Sequence, residues 1–334
     1  MCILFMAVGK HPTLPLVIAS NRDEFTARAT LAPGLGTAYP DTLPHVIAGK
    51  DLRAGGTWSA TDTLNGRSAT VLNVAPSVQM PAGSPSRGAL PLLWIDAPAD
   101  ATPLSFLEGL FAGYDGLKYA GFSLIVSSVQ PGAKAGSDPI VRCAFGTNAH
   151  MQQRGMVYIQ DLSTPGVFAF TNDGAIYDDT IAVSELTREI YWPKARRGHA
   201  LMTNMLEVNK QKKILLDSLI SNLLTKLLGC DQVQDEHSTQ RKLIGGESKT
   251  GTEEHGHGRR DWEDHISAAR QLAVSAEVPI FLSWGTYATR TSTLVMFSVP
   301  KNGKDRNSLH LHYVDQGFDA NGACEPTKLG PFLL

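Results

Sequence analysis

The chain begins with two apolar runs, CILFMAV and LPLVIASNRD, separated by the turn-rich spacer GKHPT. Short apolar runs bounded by Gly, Pro and Thr read as the two strands of one hairpin. HVIAGKDLRAGGTWSAT continues with strand-like pieces around glycine-rich turns, and SATVLNVAP reads as a buried strand stopped by Pro76. Residues 77–88, SVQMPAGSPSRG, form a loop rich in Pro, Gly and Ser. The period then changes. Leu90, Leu93 and Trp94, followed by Leu104, Phe106 and Leu107, fall at helical spacings and predict two short helices. YAGFSLIVSSV, GMVYIQDL and GVFAFTND return to strand. Residues 180–190 and 195–228 read as helices, the second long and amphipathic, and HISAARQLAVS reads as another. TRTSTLVMFSV and SLHLHYVDQGF are the last two strands.

Strands first, helices in the middle and strands again at the end suit a layered α+β fold better than an alternating βαβ one. From Cys230 to about Arg260 the pattern fails, and the polar sequence there predicts a mobile surface loop inserted at about 231–260. No internal repeat or composition break divides the chain, so a single domain over 1–334 is expected.

Composition narrows this picture. The 334 residues are 43% hydrophobic and 19% charged, an ordinary globular balance. A net charge of −2 gives no global basic field for nucleic acid or an anionic membrane. The four cysteines, Cys2, Cys143, Cys230 and Cys324, are too scattered for a zinc cluster and read as reduced thiols of an intracellular compartment. CILFMAV lacks a basic flank and a cleavage site, and no stretch approaches the roughly 20 apolar residues of a transmembrane helix. A cytoplasmic protein with no transmembrane segment is expected, with association to an organelle left open.

Candidate chemistry starts at Cys2. If Met1 is removed, this residue carries both a thiol and a free α-amine. An amine titrating at about 8 beside a thiol titrating at about 8.5 could take its proton, the pairing that activates an N-terminal nucleophile. Otherwise Cys2 is a buried small hydrophobe opening a strand. In SNRDEF, strand alternation puts Asn21 and Asp23 on one face, Arg22 and Glu24 on the other. If the hairpin returns to Cys2, Asp23 could hold the amine; the alternative is a solvated turn with a local ion pair. Trp58 in GGTW either walls a pocket or packs in the core, while Lys50, Asp51 and Arg53 read equally well as solvated loop charges. Asn73, inside an apolar strand, needs hydrogen-bond partners, as a structural bridge or as part of an oxyanion site. Asn172 either donates to the same developing charge or caps a turn. His255 and His257 lie in the polar loop, and His310 and His312 alternate along a strand. No dinucleotide, phosphate-loop or G-x-S-x-G pattern is present.

MCILF, NRDEF, GGTW, PSRG and YATRTST resemble, in this order, the NRDE family, whose eukaryotic members are called transport and Golgi organisation proteins. The match runs from Cys2 to about Val299. That family is similar in turn to N-terminal-nucleophile hydrolases of the cholylglycine-hydrolase and penicillin-acylase kind. The resemblance implies a four-layer αββα sandwich. It also implies catalytic roles for Cys2, Asp23, Asn73 and Asn172, and substrate contacts from Asn21, Arg22, Trp58 and Arg290. Where those hydrolases have Arg-Asn-x-Asp, this chain has Ser20 in place of the arginine, so Arg22 or Arg290 is expected to substitute. Two functions follow from the resemblance. One is a hydrolase of an amide or thioester bond, with a family role in Golgi and endoplasmic-reticulum organisation, secretion, and lipid or haem handling. The other is a non-catalytic carrier of haem, acyl-CoA or lipid. The partner is a small molecule in either case, and no cofactor is expected. A location associated with Golgi, endoplasmic reticulum or mitochondria goes with the resemblance.

Overall fold

In the computed structural model, residues 2–74, 83–113, 115–134, 137–149, 157–172, 176–178, 193–212, 216–228, 283–284, 287–300, 308–319, 322–323 and 326–334 are described. The first two apolar runs form β1 (Ile3–His11) and β2 (Leu14–Phe25), an antiparallel hairpin with Ile3 opposite Asn21 and Val8 opposite Leu16. Ile3, Phe5 and Ala7 enter one hydrophobic cluster, while Leu4, Met6 and Val8 enter another. A strand buried on both faces has no polar side to show, which is why this run lacks alternation.

Strands are numbered in chain order. The hairpin is extended on one side by β10 (Gly166–Thr171) and β11 (Ile176–Tyr177). On the other side it meets β13 (Tyr287–Ser298), β14 (His310–Asp319) and β15 (Gly322–Ala323). Two further strands complete this first sheet: β12 (Ser283–Trp284) pairs with β13, and β16 (Thr327–Leu333) with β14. The second sheet follows the chain: β3 (Thr30–Leu35), β4 (Val46–Asp51), β5 (Ser59–Asp62), β6 (Arg67–Asn73), β7 (Phe122–Gln130), β8 (Ile140–Thr147) and β9 (Tyr158–Asp161). Every pairing described is antiparallel.

Helices are few. α1 (Leu90–Ile95) and α2 (Pro103–Ala112) bury Leu90, Trp94, Leu107 and Phe111 against Val71, Leu124 and Val126 of the second sheet. α2 is started by Thr102, whose side chain and that of Ser105 close a capping box with Pro103 at the first turn. α3 (Pro193–Lys212), α4 (Leu216–Asn222) and a π turn (Leu223–Leu227) contribute Met202, Leu206, Leu219 and Leu223 to a cluster with Phe5, Val17 and Leu294 of the first sheet. The remaining cluster joins the two sheets, with Leu4, Ile18 and Phe297 from the first and Ile47, Leu72 and Ile125 from the second. The fold is therefore mixed α+β, with two large antiparallel sheets.

The two short helices and the final two strands agree with the hydrophobic pattern, whereas the single long helix expected over 195–228 is described as α3, α4 and the π turn rather than as one helix. Strands β3, β8 and β16 are not announced by the pattern. β3 and β16 are largely exposed and contain Pro33 and Pro331, and edge strands with proline carry little alternation. The helices expected at 180–190 and in HISAARQLAVS, the 231–260 loop with His255 and His257, and Cys230 and Cys324 lie outside the described residues. Among the described residues no helix is long and apolar enough to cross a membrane.

Candidate functional site

Ile3 lies opposite Asn21 on β2 and opposite Thr171 on β10. One residue further along the same registers, Cys2 falls between Arg22 and Asn172, and Arg22 is paired with Thr291 on β13. Alternation turns this row, Asn172–Cys2–Arg22–Thr291, toward the space between the sheets, and turns Asn21 and Asp23 toward the helical side. The Cys2 Sγ lies 3.7 Å from the Asp23 carbonyl oxygen, so the hairpin does bring NRDEF back to the start of the chain. Asp23 is buried, and its Oδ1 accepts a 2.7 Å hydrogen bond from Thr289 Oγ1.

The register with β13 jumps from Thr289 opposite Asp23 to Thr291 opposite Arg22, so Arg290 is bulged out of the ladder. Its guanidinium donates to the carbonyls of Phe25 and Thr26 and does not line the cleft. Arg22 is the arginine that stands beside Cys2.

The facing wall comes from the second sheet. The Arg22 guanidinium stacks 4.4 Å from the centre of the Trp58 ring, so Trp58 walls a pocket while remaining packed. The backbones of GGTW and PSRG touch behind it. Thr57 N–H donates to the Gly88 carbonyl at 2.9 Å, and a Cβ on Gly56 would come within 2.6 Å of Gly88 backbone atoms. Only glycine permits that approach. The contact carries Arg87 into the cleft, where its Nη1 donates to the Gly121 carbonyl at 3.0 Å. The cleft is open to solvent and has a volume of about 80 Å³.

Charge is dense here. Arg28 holds Asp51 at 2.6 Å, and Glu24 lies 3.7 Å from Arg22 and 3.8 Å from Arg28. Burial works to raise the Asp51 carboxyl, but N–H groups of Ala54 and Arg53 and the Arg28 guanidinium outweigh it and hold it below the ordinary value. Burial lowers the pKa of Arg22, with Glu24 opposing. Burial also pushes the Cys2 thiol up, and the Asp23 carboxylate acts in the same direction.

Several expected residues take other places. Asn21 Nδ2 donates to the Leu228 carbonyl at 3.0 Å and its Oδ1 accepts from Ser292 Oγ at 2.6 Å, so it clamps the first sheet to the residue that caps the π turn, on the face away from the cleft. Asn73, expected to be buried, is exposed at the end of β6 and lines the cleft. Asn172 does not line it: its side-chain N–H donates to the Asn73 carbonyl and ties the ends of the two sheets together. Arg87, Glu24, Arg28 and Asp51 were not singled out by sequence reasoning as site residues. The PSRG and GGTW motifs were the available signal, since both converge on the cleft with Cys2 and NRDEF.

The family description "Transport and Golgi organisation 2" matches residues 1–305. The chain belongs to that family. A protein of Saccharomyces cerevisiae named "Uncharacterized protein YGR127W" is 36% identical over 125 residues, 36% of this chain and 39% of the relative. The Drosophila melanogaster "Transport and Golgi organization protein 2" is 44% identical over 66 residues, 18% of this chain and 22% of the relative. These alignments therefore cover well under two thirds of either relative. The transport and Golgi organisation 2 match takes in Cys2, NRDEF, GGTW, PSRG and TRTST, the stretches that line or support the cleft.

Proposed function

We propose that this member of the transport and Golgi organisation 2 family is a cysteine hydrolase of the N-terminal-nucleophile type, acting on an amide or thioester bond. The observation that supports it best is the position of the Cys2 thiol, bordering an inter-sheet cleft beside Arg22, Asp23 and Asn73. The order of buried clusters, helices on sheet, sheet on sheet, sheet on helices, is what an αββα sandwich of that type requires. Pairing of β2 with β13 supports reading 1–334 as one domain. A cytoplasmic protein working at Golgi or endoplasmic-reticulum membranes fits the family description.

In this reading removal of Met1 leaves Cys2 with a free α-amine. The amine takes the thiol proton and sulfur attacks the substrate carbonyl carbon. The resulting oxyanion is met by the Asn73 side-chain N–H; one such donor contributes roughly 3–4 kcal/mol in hydrolases. The C–N or C–S bond then breaks, and the leaving group takes its proton from the α-ammonium. Water attacks the acyl-enzyme, releasing the acid and restoring the thiol. Asn172 acts through Asn73 as a positioning residue. Asp23 orients the amine.

A carrier of haem, acyl-CoA or lipid is the second reading. The Cys2 cleft, at about 80 Å³, is small beside the roughly 300–1,000 Å³ of ordinary ligand sites. A separate cleft of about 580 Å³ near Leu43, His45, Leu64 and Val129 has the room.

Intact mass of the purified protein, with and without iodoacetamide, separates the two. Loss of Met1 with fast, selective labelling of Cys2 is expected, and Cys2→Ala should abolish hydrolysis of acyl amides while leaving the fold intact. Retained Met1, with Cys2 labelled no faster than the buried Cys143, sinks the amine-assisted mechanism and favours haem and acyl-CoA titration.

A further inference from the structure

Arg22 is a charged group in the cleft with bonding capacity to spare. Its side chain is 8% exposed, its Nη1 has no hydrogen-bond partner, and Glu24 stands 3.7 Å from its Nη2, beyond good hydrogen-bond distance. A buried guanidinium is destabilising unless an anion and hydrogen bonds compensate it. The carboxylates around the cleft are already bonded. Asp51 is held by Arg28 and by its own turn, Asp23 accepts from Thr289, and Glu24 accepts from the Phe25 N–H. Arg87 enters from the opposite wall with its Nη1 fixed by the Gly121 carbonyl, a contact that positions the guanidinium without neutralising it. The volume of about 80 Å³ has room for a group of a few heavy atoms. A planar guanidinium fork matches a planar carboxylate in two parallel hydrogen bonds.

We infer that the cleft is a carboxylate subsite in which Arg22, supported by Arg87, holds the anionic end of a substrate against the Cys2 thiol. Resting on the hydrolase reading, this names its substrate class: amides or thioesters bearing a carboxylate close to the scissile bond, in preference to neutral ones.

The test uses the full-length protein and two alkylating agents of nearly equal size, iodoacetate and iodoacetamide. With either, the thiol proton goes to solvent, the Cys2 sulfur forms a bond to the CH2 carbon, and iodide leaves. Both reagents need the same thiolate, so its pKa cancels in the ratio of their rates. The expected ratio of iodoacetate to iodoacetamide labelling at Cys2 exceeds that of free cysteine by on the order of tenfold. Acetate, but not acetamide, should protect Cys2 from iodoacetamide. Arg22→Gln should bring the ratio to the free-cysteine value, and Arg87→Gln should lower it. A wild-type ratio no higher than that of free cysteine overturns the subsite whether or not the variants fold, as does a Cys2 inert to both reagents. Protection by inorganic phosphate equal to that by acetate overturns the carboxylate assignment. The ratio needs neither Met1 removal nor turnover. A raised ratio without hydrolysis leaves the subsite standing and removes the hydrolase; hydrolysis of neutral amides with a free-cysteine ratio does the reverse.

Discussion

Asp315 is a buried carboxyl on the first sheet from which a pH-dependent stability is expected. It is buried on β14, where Thr293 Oγ1 donates to its Oδ1 at 2.7 Å. Burial lifts its carboxyl to about 7, with the Thr293 bond opposing. Between the unfolded value of about 3.9 and this raised value, the folded protein binds the proton more tightly than the unfolded chain does. Stability conferred by the protonated form is therefore complete below about pH 4 and declines as pH rises toward 7, by roughly 2–4 kcal/mol for this group. Asp315→Asn keeps an acceptor for Thr293 and removes the titration. Urea midpoints from pH 5 to 8 should fall in the wild-type protein and fall less in the variant; parallel curves would show that Asp315 titrates normally. Nothing in SLHLHYVDQGF marks this residue in advance, because its desolvation comes from neighbours on other strands. Arg22 and Asp23, by contrast, had their opposite faces written into strand alternation.

At the level of elements, a glycine brings the helix layer into direct contact with the first sheet. Gly198, inside α3, lies against Phe5 of β1, and a Cβ there would enter the Phe5 ring. Two effects compete in Gly198→Ala. Helix propensity favours alanine by about 1 kcal/mol, while overpacking a filled core costs about 1–3 kcal/mol. The overlap is with ring atoms of a fully buried residue, so the second effect should win, with a net loss of up to about 2 kcal/mol of stability, read as a lower urea midpoint. A gain in stability would show that α3 does not pack this closely. The β1–β2 hairpin was legible because burial on both faces leaves an unbroken apolar run. The Arg290 bulge was not, since a bulge is defined by its partner strand, and so Arg290 looked as good a candidate as Arg22. Arg87 escaped for a similar reason: a proline- and serine-rich loop gives no sign of the backbone that Gly88 will touch.

At the scale of the whole molecule, the two sheets are assembled differently. The second follows chain order from β3 to β9, whereas the first pairs β2 with β13, joining residues as far apart as Leu16 and Phe297, a separation of 281 positions. Amide hydrogen exchange should be slowest in β1, β2 and β13 at the centre of the first sheet and in β6 and β7 at the centre of the second, and fastest in the edge strands β3 and β16. Uniform exchange across both sheets would contradict this order. The β2–β13 pairing also sets a clock. At roughly 5–20 residues per second of synthesis, the free edge of β2 waits on the order of tens of seconds for its neighbour to leave the ribosome. Throughout that interval the nascent chain offers an unpaired, apolar strand edge to any other strand nearby, so its yield in the cell should depend on chaperones that cover this edge until the last third of the chain has been made.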